Sequence, residues 1–137
     1  MTIQSIKIGK LIHATLAGDT RLTQALGDCK VYPIVAPNET TFPFCVYQRD
    51  NVTPYRLTKD GIAGDTVTFS VVIASDSYFE SVDIASLARE ALEKKYVENN
   101  EICMVDTYMT SIRESYEAST YVQQMQFTTR VNNKTTA

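Results

Sequence analysis

Hydrophobic spacing in the first 27 residues predicts two helices. From about residue 4 to 17, apolar side chains recur at the i, i+3, i+4, i+8 spacing of one helix face: Ile8, Leu11, Ile12 and Leu16. Asp19 is a residue type that caps helix N-termini, and Gly27 is a natural residue just past a helix end. A second, short helix is therefore expected between them.

Alternation with a period of two then predicts strands. Lys30–Pro33 is expected as a short strand, and Phe44–Arg49 as a second one whose two faces are both partly covered. Asp65–Ala74 has the clearest strand pattern, with one apolar face. That face consists of Val67, Phe69, Val71 and Ile73.

A capping box, Ser77-x-x-Glu80, predicts the start of a longer helix that runs to about Val97. Its apolar stripe consists of Ile84, Leu87, Ala88, Ala91 and Leu92. Because this stripe directly follows the strand at 65–74, we expect it to pack on the apolar face of that strand.

The last third of the chain predicts two more strands. Ile102–Arg113 and Tyr121–Val131 have strand patterns on either side of the polar stretch Glu114–Thr120, and 132–137 is expected to be a flexible tail. The predicted order is α-α-β-β-β-α-β-β. Strands joined without helices pair antiparallel, so the sequence predicts an α+β domain over residues 1–131, with a mostly antiparallel sheet packed against helices.

The segment Asp50–Gly64 contains Pro54, Gly61 and Gly64 and predicts a long loop. Long loops often carry function, and Tyr and Arg are enriched where proteins bind one another. The candidate assembly residues are Tyr55, Arg56, Leu57, Lys59 and Ile62. The alternative is that Leu57 and Ile62 fold back on their own domain.

Residue types that carry chemistry are scarce among the 137 residues. The cysteines Cys29, Cys45 and Cys103 are far apart, and His13 is the only histidine, so no zinc spacing and no nucleophile–base motif is present. Glu90 and Glu93 are expected on a solvated helix face. We therefore expect no catalytic residue, no metal and no cofactor.

The net charge is −3, which disfavours a protein held to nucleic acid by bulk charge. Residues 1–60 carry 7 basic and 5 acidic side chains (+2), and residues 61–137 carry 6 and 11 (−5). Such a chain could stack on copies of itself, although a solvated acidic helix would give the same count. No apolar run approaches the ~20 residues of a membrane span, and no signal peptide is recognisable.

Short segments along the chain have a recognisable order and spacing. They are Leu22-x3-Leu26-Gly27, Val31-Tyr32-Pro33, Ala36-Pro37, Phe42-Pro43-Phe44-Cys45-Val46-Tyr47-Gln48, Ser75-Asp-Ser-Tyr-Phe79, Leu87-Ala88-x2-Ala91-Leu92 and Arg113-Glu-Ser-Tyr-Glu117. Together they resemble the tail completion family of long-tailed bacteriophages, also called tail terminators or tail-to-head joining proteins. The resemblance covers residues 5–131, although 50–64 does not match residue by residue.

The resemblance implies a non-enzymatic virion protein, made in the cytoplasm of a bacterial host and located at the head-proximal end of the tail. Its implied partners are copies of itself in a ring, usually of six, the tail tube protein and the head-completion or connector protein. The ring would cap the tube, stop its polymerisation and let DNA pass without sequence-specific binding. Two alternatives stay open, a non-viral α+β protein-binding module without catalytic activity and a small enzyme whose site is built from scattered residues.

Overall fold

The computed structural model describes residues 3–55 and 64–133, in which helices cover one face of a six-stranded sheet. After a 3₁₀ turn at Ser5–Lys7, the elements are α1 (Ile8–Ala17), α2 (Thr20–Leu26), β1 (Val31–Pro33), β2 (Phe44–Tyr55), β3 (Gly64–Ser75), α3 (Tyr78–Leu92), β4 (Tyr96–Glu98), β5 (Ile102–Glu117) and β6 (Thr120–Asn133). The predicted α+β class is confirmed.

The sheet has the strand order β1-β2-β3-β6-β5-β4. Strand β1 lies parallel to β2, and every other neighbouring pair is antiparallel. The sheet is therefore mixed, which corrects the expectation of antiparallel pairing between strands joined without a helix. The ten-residue connection 34–43 is long enough to return the chain and start β2 in the same direction as β1.

The predicted packing of strand 65–74 against the helix after it is confirmed for most of its residues. Val67, Phe69, Val71 and Ile73 are all buried in one hydrophobic cluster with Ile84, Ala88 and Leu92 of α3. Leu87, which was expected in the stripe, is only partly buried, whereas Ala85 is buried. The rings of Phe69 and Phe127 stack at the centre of this cluster, with centroids 5.3 Å apart.

Three of the predicted helix ends are confirmed by their capping residues. The Asp19 carboxylate accepts a hydrogen bond of 3.0 Å from the Leu22 amide, and Gly27 ends α2 with φ +85°. At α3 the Ser77 hydroxyl accepts a 3.5 Å bond from the Glu80 amide, as a capping box requires. The Glu80 carboxylate instead accepts from the Ser75 hydroxyl at 2.8 Å, and the Ser77 amide donates to that same hydroxyl.

Helix α3 ends at Leu92, five residues before the predicted end, because the chain turns and adds a strand to the sheet. Tyr96–Glu98 pairs with Cys103–Val105 of β5 as the edge strand β4. The amides of Asp106 and Thr107 then donate to the carbonyls of Lys95 and Lys94. This pairing with a later strand outweighs the local helix pattern.

The predicted long loop at 50–64 is wrong in its first six residues. A bulge between Arg49 and Asn51 shifts the register of β2 against β3, and the strand then continues to Tyr55, opposite Gly64. The bulge breaks the period-two pattern, and this explains why the sequence predicted that the strand ends at Arg49. Residues 56–63 lie outside the described residues.

The polar stretch 114–120 is not a loop either. Strand β5 continues to Glu117, β6 begins at Thr120, and Ala118 and Ser119 form a two-residue turn with φ +52° and +63°. At the other end, β6 reaches Asn133, whose side chain accepts a 3.0 Å hydrogen bond from the Gln4 amide. The segment predicted as a tail thus contributes its first two residues to the sheet, and 134–137 lie outside the described residues.

The left-handed backbone at the end of α2 gives a test of the fold. Gly27→Ala is expected to lower the free energy of unfolding by ~1 kcal/mol, because φ +85° is strained for a residue with a Cβ. No heavy atom lies within 4 Å of the place that the added Cβ would occupy, so the cost comes from the backbone alone. Gly9→Ala is the matched control, since it adds a Cβ inside α1 and is expected to stabilise by about 0.5–1 kcal/mol. Urea unfolding curves that shift in the same direction for both variants would contradict this.

Candidate assembly surfaces

The outer edge of β5 is paired over only its first half. Strand β4 pairs with Cys103–Val105, and the Glu93 carboxylate accepts a 2.9 Å bond from the Met109 amide. Past Met109, the described chain provides no further strand beside β5 as far as Glu117. A free strand edge of this length is a template for pairing with another chain.

A patch of exposed apolar side chains lies beside this free edge. Phe79, at the second position of α3, is 77% exposed, and its ring packs edge-on against Tyr78 at 5.4 Å. The ring centroid of Tyr78 lies 5.7 Å from that of Tyr121 on β6, and the Tyr121 centroid lies 4.7 Å from that of Tyr116 on β5. Val82, one turn after Tyr78 on α3, and Ile112 on β5 line a common hollow. We call the exposed apolar side chains of this region the aromatic patch: Tyr78, Phe79, Val82, Ile112 and Tyr116.

Carboxylates surround the aromatic patch. The Tyr78 hydroxyl donates to the Glu114 carboxylate at 3.0 Å, and this hydrogen bond, with the negative charge of Glu114, raises the pKa of Tyr78. Asp76, Asp83 and Glu117 lie within two residues of members of the patch, and all are exposed. Arg113 is next to Ile112, and Arg89 lines a hollow with Val82 and Ile112, so the patch is apolar with an excess of carboxylates over cations.

The opposite edge of the sheet, at β1 and β2, has an apolar groove. Ile34 and Val35 are 72% and 71% exposed, and with Phe44, Val46 and Val72 they line a groove of about 450 Å³, which we call the apolar groove. A hollow of about 330 Å³ on the other side of Ile34 extends it to Ile6 and Arg49. These residues lie on β2, on β3, on the loop between β1 and β2 and in the 3₁₀ turn before α1.

The backbone holds the side of this groove in an unusual conformation. Ile34 has φ +65°, which is strained for a β-branched residue. Its amide donates a 2.8 Å hydrogen bond to the Tyr47 carbonyl, which continues the β1–β2 ladder by one residue and fixes this conformation. Backbone strain of this kind is concentrated at functional sites.

The charges near the groove are of both signs. Arg49 lines the second hollow, and its guanidinium donates to the Ile6 carbonyl at 2.6 Å. Lys10 is exposed one turn after Ile6. The Asp50 carboxylate lies beside the first hollow, because it accepts hydrogen bonds from the Gln48 and Ser70 side chains, which both line it. The surroundings of the groove are therefore less acidic than those of the aromatic patch.

The predicted assembly residues are not brought into a described site. Tyr55 is the last residue of β2, and Arg56, Leu57, Lys59 and Ile62 lie outside the described residues. The sequence analysis missed the aromatic patch and the apolar groove. A signal was present, because Phe79 lies off the helix stripe and Ile34-Val35 is an apolar pair in a loop between two prolines.

Neither the cysteines nor His13 line these surfaces, but His13 contacts Tyr47, which lines both hollows. Burial raises the pKa of the Cys45 thiol to about 12, so it stays protonated. The His13 ring lies 5.9 Å from that of Tyr47. Among residues 3–55 and 64–133, no three potential ligands cluster as a metal site would require, and no helix is both long and apolar enough to cross a bilayer.

Comparison with solved structures shows the fold in other proteins. A chain of the virion of a native gene transfer agent particle aligns with a TM-score of 0.77 and 16% identity, over 90% of this chain and 92% of that one. A second structure, without a functional name, aligns with a TM-score of 0.56 and 13% identity, over 94% and 97%. No curated protein gives a significant match.

The family comparison covers nearly the whole chain. The model of the family described as tail completion protein gp17 matches residues 10–132, which include all the helices and strands of the two surfaces above. The resemblance first seen in the short segments of the sequence is thereby confirmed. The chain belongs to the tail completion protein gp17 family and is a structural protein of a phage virion.

Proposed function

We propose that the protein forms a ring, of six subunits, that caps the tail tube, ends tube polymerisation and joins the tail to the head connector. One observation supports this most directly: two unlike exposed apolar surfaces, the aromatic patch and the apolar groove, lie on different sides of one sheet. A ring of identical subunits is built from heterologous contacts, in which one surface of each copy meets a different surface of the next. Membership of the tail completion family supports the position at the end of a tail.

The proposed role is structural, without catalysis, and it places the ring at the head-proximal end of the tail. DNA would pass through the ring without sequence-specific binding, and a net charge of −3 suits a channel that does not hold phosphates. The alternative of a non-viral binding module is disfavoured by the family match.

Assembly of phage particles without this protein tests the proposal. Electron microscopy is expected to show tubes of irregular, excessive length and separate, DNA-filled heads. Adding the wild-type protein back should restore tails of one length, and light scattering should give the mass of a ring. Tails of normal length, joined to heads, in the absence of the protein would contradict the proposal.

The segment 50–64 remains a proposed contact with a neighbouring subunit or with the tube. Tyr55→Ala combined with Arg56→Ala is expected to leave the melting temperature nearly unchanged and to impair ring formation or tail capping, because Tyr and Arg side chains dominate many interfaces. Tyr96→Ala combined with Arg21→Ala is a control, since both side chains are exposed on other elements. Residues 51–55 are already paired with β3 in the single subunit, so the test concerns 56–63: equal hydrogen-exchange protection of these residues in free protein and in assembled tails would contradict a contact there.

A further inference from the structure

Building on the proposed ring, we infer that the aromatic patch of one subunit docks on the apolar groove of the next copy of this chain. The ring of Phe79 would enter the groove beside Ile34 and Val35. This assigns the subunit interface to residues that are all described in the structure, outside the segment 50–64 that the sequence suggested.

The exposure of these side chains supports a partner for both surfaces. Phe79, Ile34 and Val35 are each more than 70% exposed in the single subunit, and they lie within larger apolar surfaces rather than as isolated residues. Contiguous apolar surface of this kind marks sites of association. The strained Ile34 holds the side of the groove in place before any partner binds, which lowers the cost of ordering on docking.

The positions of the two surfaces favour a second copy as the partner. The patch lies on the helix side of the sheet, on α3 and β5, whereas the groove lies on the other side, where Val72 and Gln124 alternate with the core residues Val71 and Met125. One subunit therefore cannot bring its own patch to its own groove. The projecting Phe79 ring and the groove of about 450 Å³ differ in shape, so patch against groove fits better than either surface against itself.

The charges favour the same arrangement. A contact of two patches would bring together the carboxylates Asp76, Asp83, Glu114 and Glu117 of both copies. The groove carries charges of both signs, Arg49 and Asp50, so a patch on a groove avoids this contact of like charges. The patch carboxylates would instead face Arg49, and the avoidance of like-charge contact selects the correct partner surface.

Disulfide trapping tests the contact directly. The background carries Cys29→Ser, because Cys29 is exposed whereas Cys45 and Cys103 are buried. Adding both Phe79→Cys and Val35→Cys is expected to give, on mild oxidation of the concentrated protein, a ladder of linked oligomers that stops at the ring. Each single cysteine variant should stay unlinked. Dimers from Phe79→Cys alone would indicate patch against patch, and they would overturn the inference, as would a double cysteine variant that forms the ring but gives no ladder on oxidation.

A charge substitution gives a second test, in which a loss of assembly is not explained by a loss of folding. Phe79→Glu places a carboxylate in the first turn of α3, where the helix dipole favours it, so the melting temperature should not fall. We expect ring assembly to weaken at least tenfold, as measured by light scattering over a concentration series. Tyr96→Glu, on β4, is the matched control and should assemble as the wild type does.

The two proposals fail in different ways. If Phe79→Glu forms rings and caps tails as the wild type does, the docking inference is wrong and the proposed function stands. If the wild type neither oligomerises, alone or on tubes, nor limits tail length, the proposed function itself is wrong. Both proposals are supported if Phe79→Glu loses assembly, Tyr96→Glu keeps it and the double cysteine variant gives the disulfide ladder.

Discussion

Replacing Phe69 by alanine is expected to lower the free energy of unfolding by about 3–5 kcal/mol. The Phe69 side chain is fully buried at the centre of the sheet, and its ring stacks on that of Phe127. Removing it takes away apolar burial and leaves a cavity that the paired strands on both sides cannot close. Urea unfolding at equilibrium, followed by circular dichroism, measures the change.

Tyr108→Ala is the control for this substitution. It removes a comparable aromatic ring from a half-exposed position on β5, and its effect is expected to stay within about 0.5 kcal/mol. A loss below about 1 kcal/mol for Phe69→Ala would contradict the assignment of the 67–73 face to the core. Equal losses for both variants would do so as well.

The elements that the sequence predicted best are those in which local signals agree. In α2, the capping residue Asp19, the apolar stripe and Gly27 all indicate the same seven-residue helix, and the structure has it. In β3 the apolar alternation extends across the whole strand because one face packs on helices along its length. Where pattern and capping coincide, sequence was sufficient.

The elements that the sequence pattern does not predict depend on pairing with distant parts of the chain. Strand β4 is three residues of mixed character that become a strand only because β5 offers an edge. The end of β5 and the start of β6 are polar, and it is their cross-strand pairing that extends them to the turn at Ala118-Ser119. Hydrogen bonds between backbones carry no hydrophobic pattern, so the sequence does not reveal them.

The candidate interface could not be located from sequence for a related reason. Whether Phe79 or Ile34 lies at an edge depends on the strand order, and that order places β6 between β3 and β5. The sequence favours the segment 50–64 as the interface because its glycine and proline residues indicate a loop. An exposed patch composed of a helix start and a hairpin has no such mark, since its residues lie at 78–82 and 112–116.

A charge placed on the buried face of α3 is expected to have the largest effect of any single change. Ala88 is fully buried between α3 and the sheet, among Ile84, Leu92 and the strand residues of the same cluster. Ala88→Asp would bury a carboxyl group without a partner, so the folded state holds it in its protonated form and its pKa rises by several units. Even protonated, the buried group costs ~1–3 kcal/mol.

The expected loss in this variant grows with pH. The unfolded chain ionises the new aspartate above its ordinary pKa of about 3.9, whereas the folded chain keeps the proton, so stability falls as pH rises, by ~1.4 kcal/mol per unit up to the raised pKa. Between pH 4 and pH 7 this amounts to about 4 kcal/mol, and the total loss at pH 7 approaches the whole stability of a domain of this size.

Ser86→Asp, exposed on the same helix, is the control and should differ little from the wild type at either pH. Urea unfolding of each variant against the wild type at both pH values measures the difference. A loss for Ala88→Asp that is the same at pH 4 and pH 7 would mean that the residue reaches solvent and that α3 does not seal the core.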